Sequence, residues 1–146
     1  MTNFFDVFSD FLEINNITVQ DVSRATGIED SVIYNYANNA LPTVKHAVSI
    51  ANYMNCSLNY LMGIDDLPNK ASFEQKYDIS VFSKRYDNLL KEYNVSHYNL
   101  STNAGLNYSS HYAWRHGAIP AMTSLIKIAK YFDVSIDYLV GRSDKK

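Results

Sequence analysis

Four histidines, one cysteine and 15 acids are the side chains of this 146-residue protein that could hold a metal or move a proton. Their spacing does not assemble them. His46, His97, His111 and His116 are scattered, and His111 and His116 stand five apart, which does not put two ligands on one helical face. No Cys or acid cluster completes a zinc set. Cys56 has no base beside it in sequence and sits where the pattern wants an apolar residue. The acids are abundant, but no pair stands out. The expectation is a protein with no catalytic residues, no metal and no cofactor, and not an enzyme. The remaining chemistry is recognition. It gathers in Gly105–Pro120 (GLNYSSHYAWRHGAIP), rich in hydroxyl and aromatic groups, and in a counterpart at Gly27–Pro42 (GIEDSVIYNYANNALP).

The rest of the chain must position those two stretches. Hydrophobic residues at 47% with 19% charged describe a soluble globular protein rather than a disordered one. Aromatic residues at 14% suit small cores. One cysteine rules out an internal disulfide and fits a reducing compartment. No apolar run approaches the roughly 20 residues of a membrane span. The N-terminus carries Asp6 and Asp10 with no basic segment, unlike a signal peptide. These features predict a cytoplasmic protein with no membrane partner and no evident small-molecule ligand.

Apolar residues recur at helical spacing throughout. Phe4, Val7, Phe8, Phe11, Leu12 and Ile14 predict a first helix, capped by Thr2 and ended at Asn15-Asn16. Thr18 caps a second with Val22 and Ala25 inward, stopping before Gly27. Glu29 or Asp30 begins a third, with Ile33 and Tyr36 inward, broken at Asn38-Asn39. Pro42-Thr43 opens a fourth, and Ser57 caps a short fifth that Gly63 stops. Ile64–Asp78 is weakly periodic and reads as a linker, with a helical turn around Phe73. The pattern then returns. Val81, Phe82, Tyr86, Leu89, Leu90 and Tyr93 make a first helix, Ser96 caps a second with Leu100 inward, and Asn107 caps a third with Trp114 inward. Pro120 opens a fourth, and Ser135 caps a fifth.

The two halves match at a shift of 78 residues with no gap from Phe8 onward. Asn16 meets Asn94, Gly27 meets Gly105, Tyr34 meets Tyr112 and Pro42 meets Pro120. Ser57-x-x-Tyr60-Leu61-x-Gly63 meets Ser135-x-x-Tyr138-Leu139-x-Gly141. A period this long indicates a duplicated domain rather than a solenoid. The expected organisation is all-α: domains at residues 1–64 and 79–146, each of five helices, joined by a short linker at 65–78.

Each half resembles the helix-turn-helix domain of the phage repressor family, the lambda-repressor-like and Cro-type (XRE-type) proteins. The second half is closer. Val95–Leu100 occupies the family's start of helix two, Gly105 its turn glycine, and Trp114 and Gly117 the core residue of helix three and the glycine after it. Pro120–Gly141 (PAMTSLIKIAKYFDVSIDYLVG) matches the fourth and fifth helices. The resemblance implies that helix two lies over the phosphate backbone and helix three enters the major groove. It places Asn107, Tyr108, Ser109, Tyr112 and Ala113 against base edges, and His97, Arg115 and His116 near phosphates. Departures accompany it. Gly117-Ala118-Ile119 lacks the cation often found there. His111 takes a slot that is Ile33 in the first half, and reads as a half-buried histidine with one hydrogen bond. The family's pairing of a helix-one Arg with a helix-three acid is absent, its slots being Leu90 with Arg115 and Leu12 with Ala37. Arg115 is then either free for a phosphate or merely solvated.

Charge separates the halves. Residues 1–66 hold eight acids and two bases, net −6, whereas residues 79–146 hold nine bases and five acids, net +4. A polyanion supplies most non-specific attraction to nucleic-acid binders, so the first half is poorly suited to DNA. Glu29 and Asp30 lie at the tip of its third helix, where phosphates would come closest, although a Glu can also read cytosine. Phe4, Phe5, Phe8 and Phe11 are more apolar surface than one small helix need bury. They serve either the core or a dimer or partner surface. The functional expectation is a sequence-specific, repressor-like regulator that binds double-stranded DNA through its second half. It would act as a homodimer held partly by the first half. The alternative is a protein-binding adaptor, or a mobile-element regulator, that keeps the scaffold without reading DNA.

Overall fold

The computed structural model describes residues 3–36, 40–69 and 73–146. Every element among them is helical. The chain divides into two compact units, Met1–Gln75 and Lys76–Lys146. Residues between Ile64 and Asp78 are therefore shared between units. Pro68 accepts from Ser57 N–H at 2.7 Å and Gln75 from Asn52 Nδ2 at 2.7 Å, both within the first unit. No helical turn forms at Phe73 among the described residues.

The first unit contains α1 (Phe4–Ile14), α2 (Val19–Thr26), α3 (Asp30–Asn35), α4 (Val44–Met54) and α5 (Leu58–Leu61). Short polar side chains set the helix starts by accepting otherwise orphaned N–H groups. Asn3 caps α1 by accepting from Asp6 N–H, whereas Thr2, expected in that role, lies outside the described residues. Thr18 and Asp21 form a reciprocal capping box on α2. Thr43 and Ser57 cap α4 and α5. The expected break at Asn38-Asn39, and Ala37, fall outside the described residues. Val22, Ile33, Tyr36, Ala47, Val48, Ile50, Leu58 and Leu61 form the core. Ala25, expected inward, is exposed, because α2 turns only Val22 fully towards α3 and α4.

The second unit opens with a 3-10 turn at Ile79–Val81. It continues through α6 (Phe82–Glu92), α7 (His97–Ala104), α8 (Ser110–Arg115), α9 (Met122–Phe132) and α10 (Ile136–Leu139). Both cores are keyed by an aromatic triad. Phe4 stacks on Phe8 at 5.6 Å and meets Tyr36 edge-on at 5.9 Å; Phe82 stacks on Tyr86 at 5.6 Å and meets Trp114 edge-on at 5.6 Å. Stacked and edge-on pairs add about 0.5–1.5 kcal/mol each beyond the area they bury. Each triad ties the first helix of its unit to the third.

The left-handed turns repeat as well. Asn16 and Asn94 both have φ 52°, and Asn55 and Asp133 have φ 54° and 55°. Asn and Asp tolerate this region better than other non-glycine residues, which explains their use at these helix ends. Four of the five helices start and stop in register, 78 residues apart. The exception is the third: α3 begins at Asp30 and α8 at Ser110, two residues late.

One difference is buried. Asp137 and Arg142 pair at 2.8 Å with both side chains fully inaccessible. The same turn in the first unit carries Asn59 and Ile64, with matching backbone bonds from Ile64 N–H to Asn59 O and from Arg142 N–H to Asp137 O, each 2.8 Å. Nearby, Arg85 donates to the Tyr138 and Ser143 carbonyls and to Asp144, with its guanidinium over the Tyr138 ring at 4.4 Å. Both arginines counted towards the net +4, yet both serve the fold rather than an outer surface.

Candidate nucleic-acid interface

The α7–α8 hairpin of the second unit is built by capping and one anchor. Ser96 caps α7 by accepting from Asn99 N–H at 3.0 Å. Gly105, at φ 71°, ends the helix in the left-handed region that only glycine enters cheaply. Lys127 Nζ donates to its carbonyl at 3.0 Å, which fixes the turn from α9. Trp114 is buried and holds α8 down through Phe82 and Tyr86.

Asn107 does not cap α8 directly. Its Oδ1 accepts from Ser109 N–H at 3.1 Å and from Ser109 Oγ–H at 2.9 Å, closing a local turn in front of the helix. That turn consumes the two residues by which α8 starts late. Both lone pairs of the Asn107 oxygen are used, so its amide is not available whole for a two-bond contact to a base. Ser109 is exposed but spends its hydroxyl proton on Asn107.

The remaining base-facing candidates are presented outward. Tyr108 is 58% and Tyr112 69% exposed, and Ala113 is exposed beside them. The rings are propped: Tyr108 lies against His97 at 4.8 Å and edge-on to Tyr98 at 6.1 Å, and Tyr112 stacks on His116 at 4.0 Å. Tyr98, 64% exposed, belongs to this surface and was not anticipated from sequence. Its one signal was its place in the first turn of helix two. Tyr108, Tyr112, His97, His111, Arg115 and His116 line an open depression of about 510 Å³.

The three phosphate candidates fare differently. His116 is exposed, and its Nδ1–H donates to the Tyr112 carbonyl at 2.8 Å. His97 is half-buried; desolvation, aided by the Arg115 charge, lowers its pKa and favours the neutral ring. Arg115 is not free. Its Nε and Nη2 donate to the two Asp87 oxygens at 3.4 and 3.3 Å, a pair between α8 and α6. Neither sequence reading anticipated this partner, although Arg115 stays about half exposed. Three residues before Leu90, Asp87 supplies an acid on helix one and Arg115 a base on helix three, the reverse of the family's polarity.

His111 is half-buried as expected; its buried Nδ1, like that of His97, has no hydrogen-bond partner. The two rings touch, with centroids 3.1 Å apart, and His111 meets Tyr86 at 5.5 Å. Burial, then the neighbouring His97, then Arg115 push the His111 pKa down to about 4.

In the first unit, α3 presents Tyr34, 51% exposed, whose hydroxyl accepts from Gln20 Nε2 at 3.4 Å. Glu29 and Asp30 are exposed beside it, and Arg24 is turned to Asp21 rather than to them. The phenylalanine surface is corrected: Phe4 and Phe8 are core, 1% and 3% exposed, held in the triad that fixes α3. Phe11 is half-buried against Tyr53 at 6.1 Å, so Phe5, at 39%, is the most exposed of the four.

Among the described residues no group of three or more His, Cys, Asp or Glu could hold a metal ion, and no helix is long and apolar enough to cross a membrane. A helix-turn-helix family model matches residues 10–61, and a Cro/C1-type HTH DNA-binding domain model matches residues 85–145. Searches of curated proteins and of solved structures returned no significant match. The chain is a tandem helix-turn-helix protein. Its domains are of the XRE/Cro-like type, a class associated with DNA-binding regulators.

Proposed function

We propose that this protein is a repressor-like transcriptional regulator that recognises specific double-stranded DNA with α8 of its second unit. The observation carrying the proposal is a contrast in charge between the two hairpins. From Tyr93 to Trp114 the chain has no Asp, Glu, Lys or Arg, whereas α3 begins with exposed Glu29 and Asp30. An acid-free third helix on a DNA-binding scaffold can approach phosphate without repulsion; an acidic one is opposed by it. In the second unit α7 would cross the backbone, and α8 with the turn before it would set Tyr108, Tyr112 and Ala113 in the major groove. The first unit would supply contacts between copies, so that two second units read half-sites about one helical turn apart.

The exposed tyrosines favour one competing reading. Tyr98, Tyr108 and Tyr112 form an aromatic surface with no free arginine beside it, which also suits a protein partner. A gel-shift over a salt series separates the two. The regulator binds duplex DNA at about 50 mM salt, and log K falls linearly with log salt. Tyr108→Ala with Tyr112→Ala abolishes the shift. Absence of any shift at that salt leaves the adaptor reading.

A further inference from the structure

We infer that the α8 face reads pyrimidine C5-methyl groups, selecting thymine-rich duplex over duplex of the same pairing without the methyls. The inference rests on the proposed function and narrows it to a class of target.

Protein side chains read the major groove in three main ways: Arg or Lys to guanine, Asn or Gln to adenine, and apolar groups to the thymine methyl. The first is poorly supplied here. No Lys or Arg lies between Tyr93 and Trp114, Arg115 stands at the C-terminal end of α8, away from the base-facing start, and pairs there with Asp87, and Lys127 is bonded to the Gly105 carbonyl. The second is disarmed, because adenine recognition needs both the oxygen and the nitrogen of an amide, and the Asn107 oxygen already accepts twice from Ser109. The third is well supplied. Tyr108, Tyr112 and Ala113 stand outward on one short helix and the turn before it.

The face is also rigid. A methyl group gives no directional bond, so selectivity requires a surface that does not rearrange. Tyr108 is braced by His97 and Tyr98, and Tyr112 by His116. The face is therefore a fixed apolar shape with two phenolic hydroxyls. It is matched to a groove floor studded with methyls and poorly matched to guanine edges.

The full chain is titrated against four duplexes of about 20 base pairs, long enough for two half-sites: alternating dA/dT, alternating dA/dU, alternating dG/dC, and the last with 5-methylcytosine. Replacing dT by dU removes the methyl and keeps the pairing. The expected result is tighter binding to dA/dT than to dA/dU, by about fourfold for each methyl covered. Cytosine methylation should shift affinity in the same direction. In Tyr108→Ala/Tyr112→Ala both preferences collapse towards one; the two positions are exposed, and circular dichroism checks that the fold is kept. Equal affinity for dA/dT and dA/dU, with binding to all four, overturns the methyl inference and leaves the DNA reading intact. Failure to bind any duplex overturns both. Tighter binding to single-stranded dT than to duplex also overturns the inference, because it makes the tyrosines stacking platforms instead.

Discussion

Arg115 on α8 donates through both Nε and Nη2 to the Asp87 carboxylate on α6, at 3.4 and 3.3 Å. The charge best placed to grip a phosphate is thus spent on holding the third helix to the first. Arg115 remains about half exposed and Asp87 about a quarter, so the pair is solvated and worth about 0–1 kcal/mol. It is weak enough for DNA to compete for the guanidinium.

Asp87→Asn should therefore tighten duplex binding at low salt and steepen the slope of log K against log salt by about one. Fluorescence anisotropy over a salt series measures this. An unchanged slope would show that Arg115 stays away from phosphate even when released.

The buried Asp137–Arg142 pair yields a stability prediction. Asp137→Ala removes the carboxylate from an inaccessible arginine and should cost the second unit about 3–5 kcal/mol. The first unit holds the same turn with Asn59 and Ile64. The double change Asp137→Asn/Arg142→Ile should accordingly recover most of the loss, as a well-packed neutral replacement does. Urea unfolding of the three proteins tests this; a double variant as unstable as the single one would contradict it.

His97 and His111 make the second unit sensitive to acid. Tyr86 and Asp87 face them from α6, and Tyr108 and Arg115 from α8 and the turn before it. Both histidines have folded pKa values below the ordinary 6.5, with His111 at about 4. Between those values the unfolded chain binds more protons than the folded one, so their contribution is complete above about pH 6.5 and is lost as pH falls towards 4. With solvent screening allowed for, the loss is on the order of 1–2 kcal/mol. His111→Ile, the residue found at Ile33 in the first unit, should flatten this part of the profile. Thermal unfolding across pH gives the readout, and an equally steep profile in His111→Ile would count against the assignment.

Most of the fold was legible in the sequence because its signals are local. Thr18, Thr43, Ser57, Ser96 and Ser135 each cap the helix they precede, and Gly27, Gly63, Gly105 and Gly141 each take positive φ at a helix end. What escaped was non-local or competitive. The Arg115–Asp87 pair joins residues 28 apart, and Asp87 lies one turn away from the slot where the family places its ionic partner. Phe4 and Phe8 were assignable to core or surface until Tyr36 was seen edge-on to Phe4. At the tip of α8, Asn107 could have capped the helix; its bonds to Ser109 formed a separate turn instead. That competition is usual for Asn, and composition does not decide it.

The first unit's α3 offers an internal control. Tyr34 occupies the position equivalent to Tyr112 and is also exposed, yet Glu29 and Asp30 flank it. Tyr34→Ala should leave duplex affinity within about twofold of the parent, while Tyr112→Ala alone should weaken it about tenfold or more, in keeping with loss of one to three kcal/mol of base contact. Equal losses from the two substitutions would mean that both hairpins engage DNA.

The most direct test of unequal hairpins is amide chemical-shift mapping of the full chain titrated with a thymine-rich duplex at about 50 mM salt. The largest changes should fall between His97 and His116, centred on Tyr108 and Tyr112, while the amides from Val19 to Tyr36 stay nearly unmoved. Changes concentrated in Val19–Tyr36, or none in either hairpin, would contradict it.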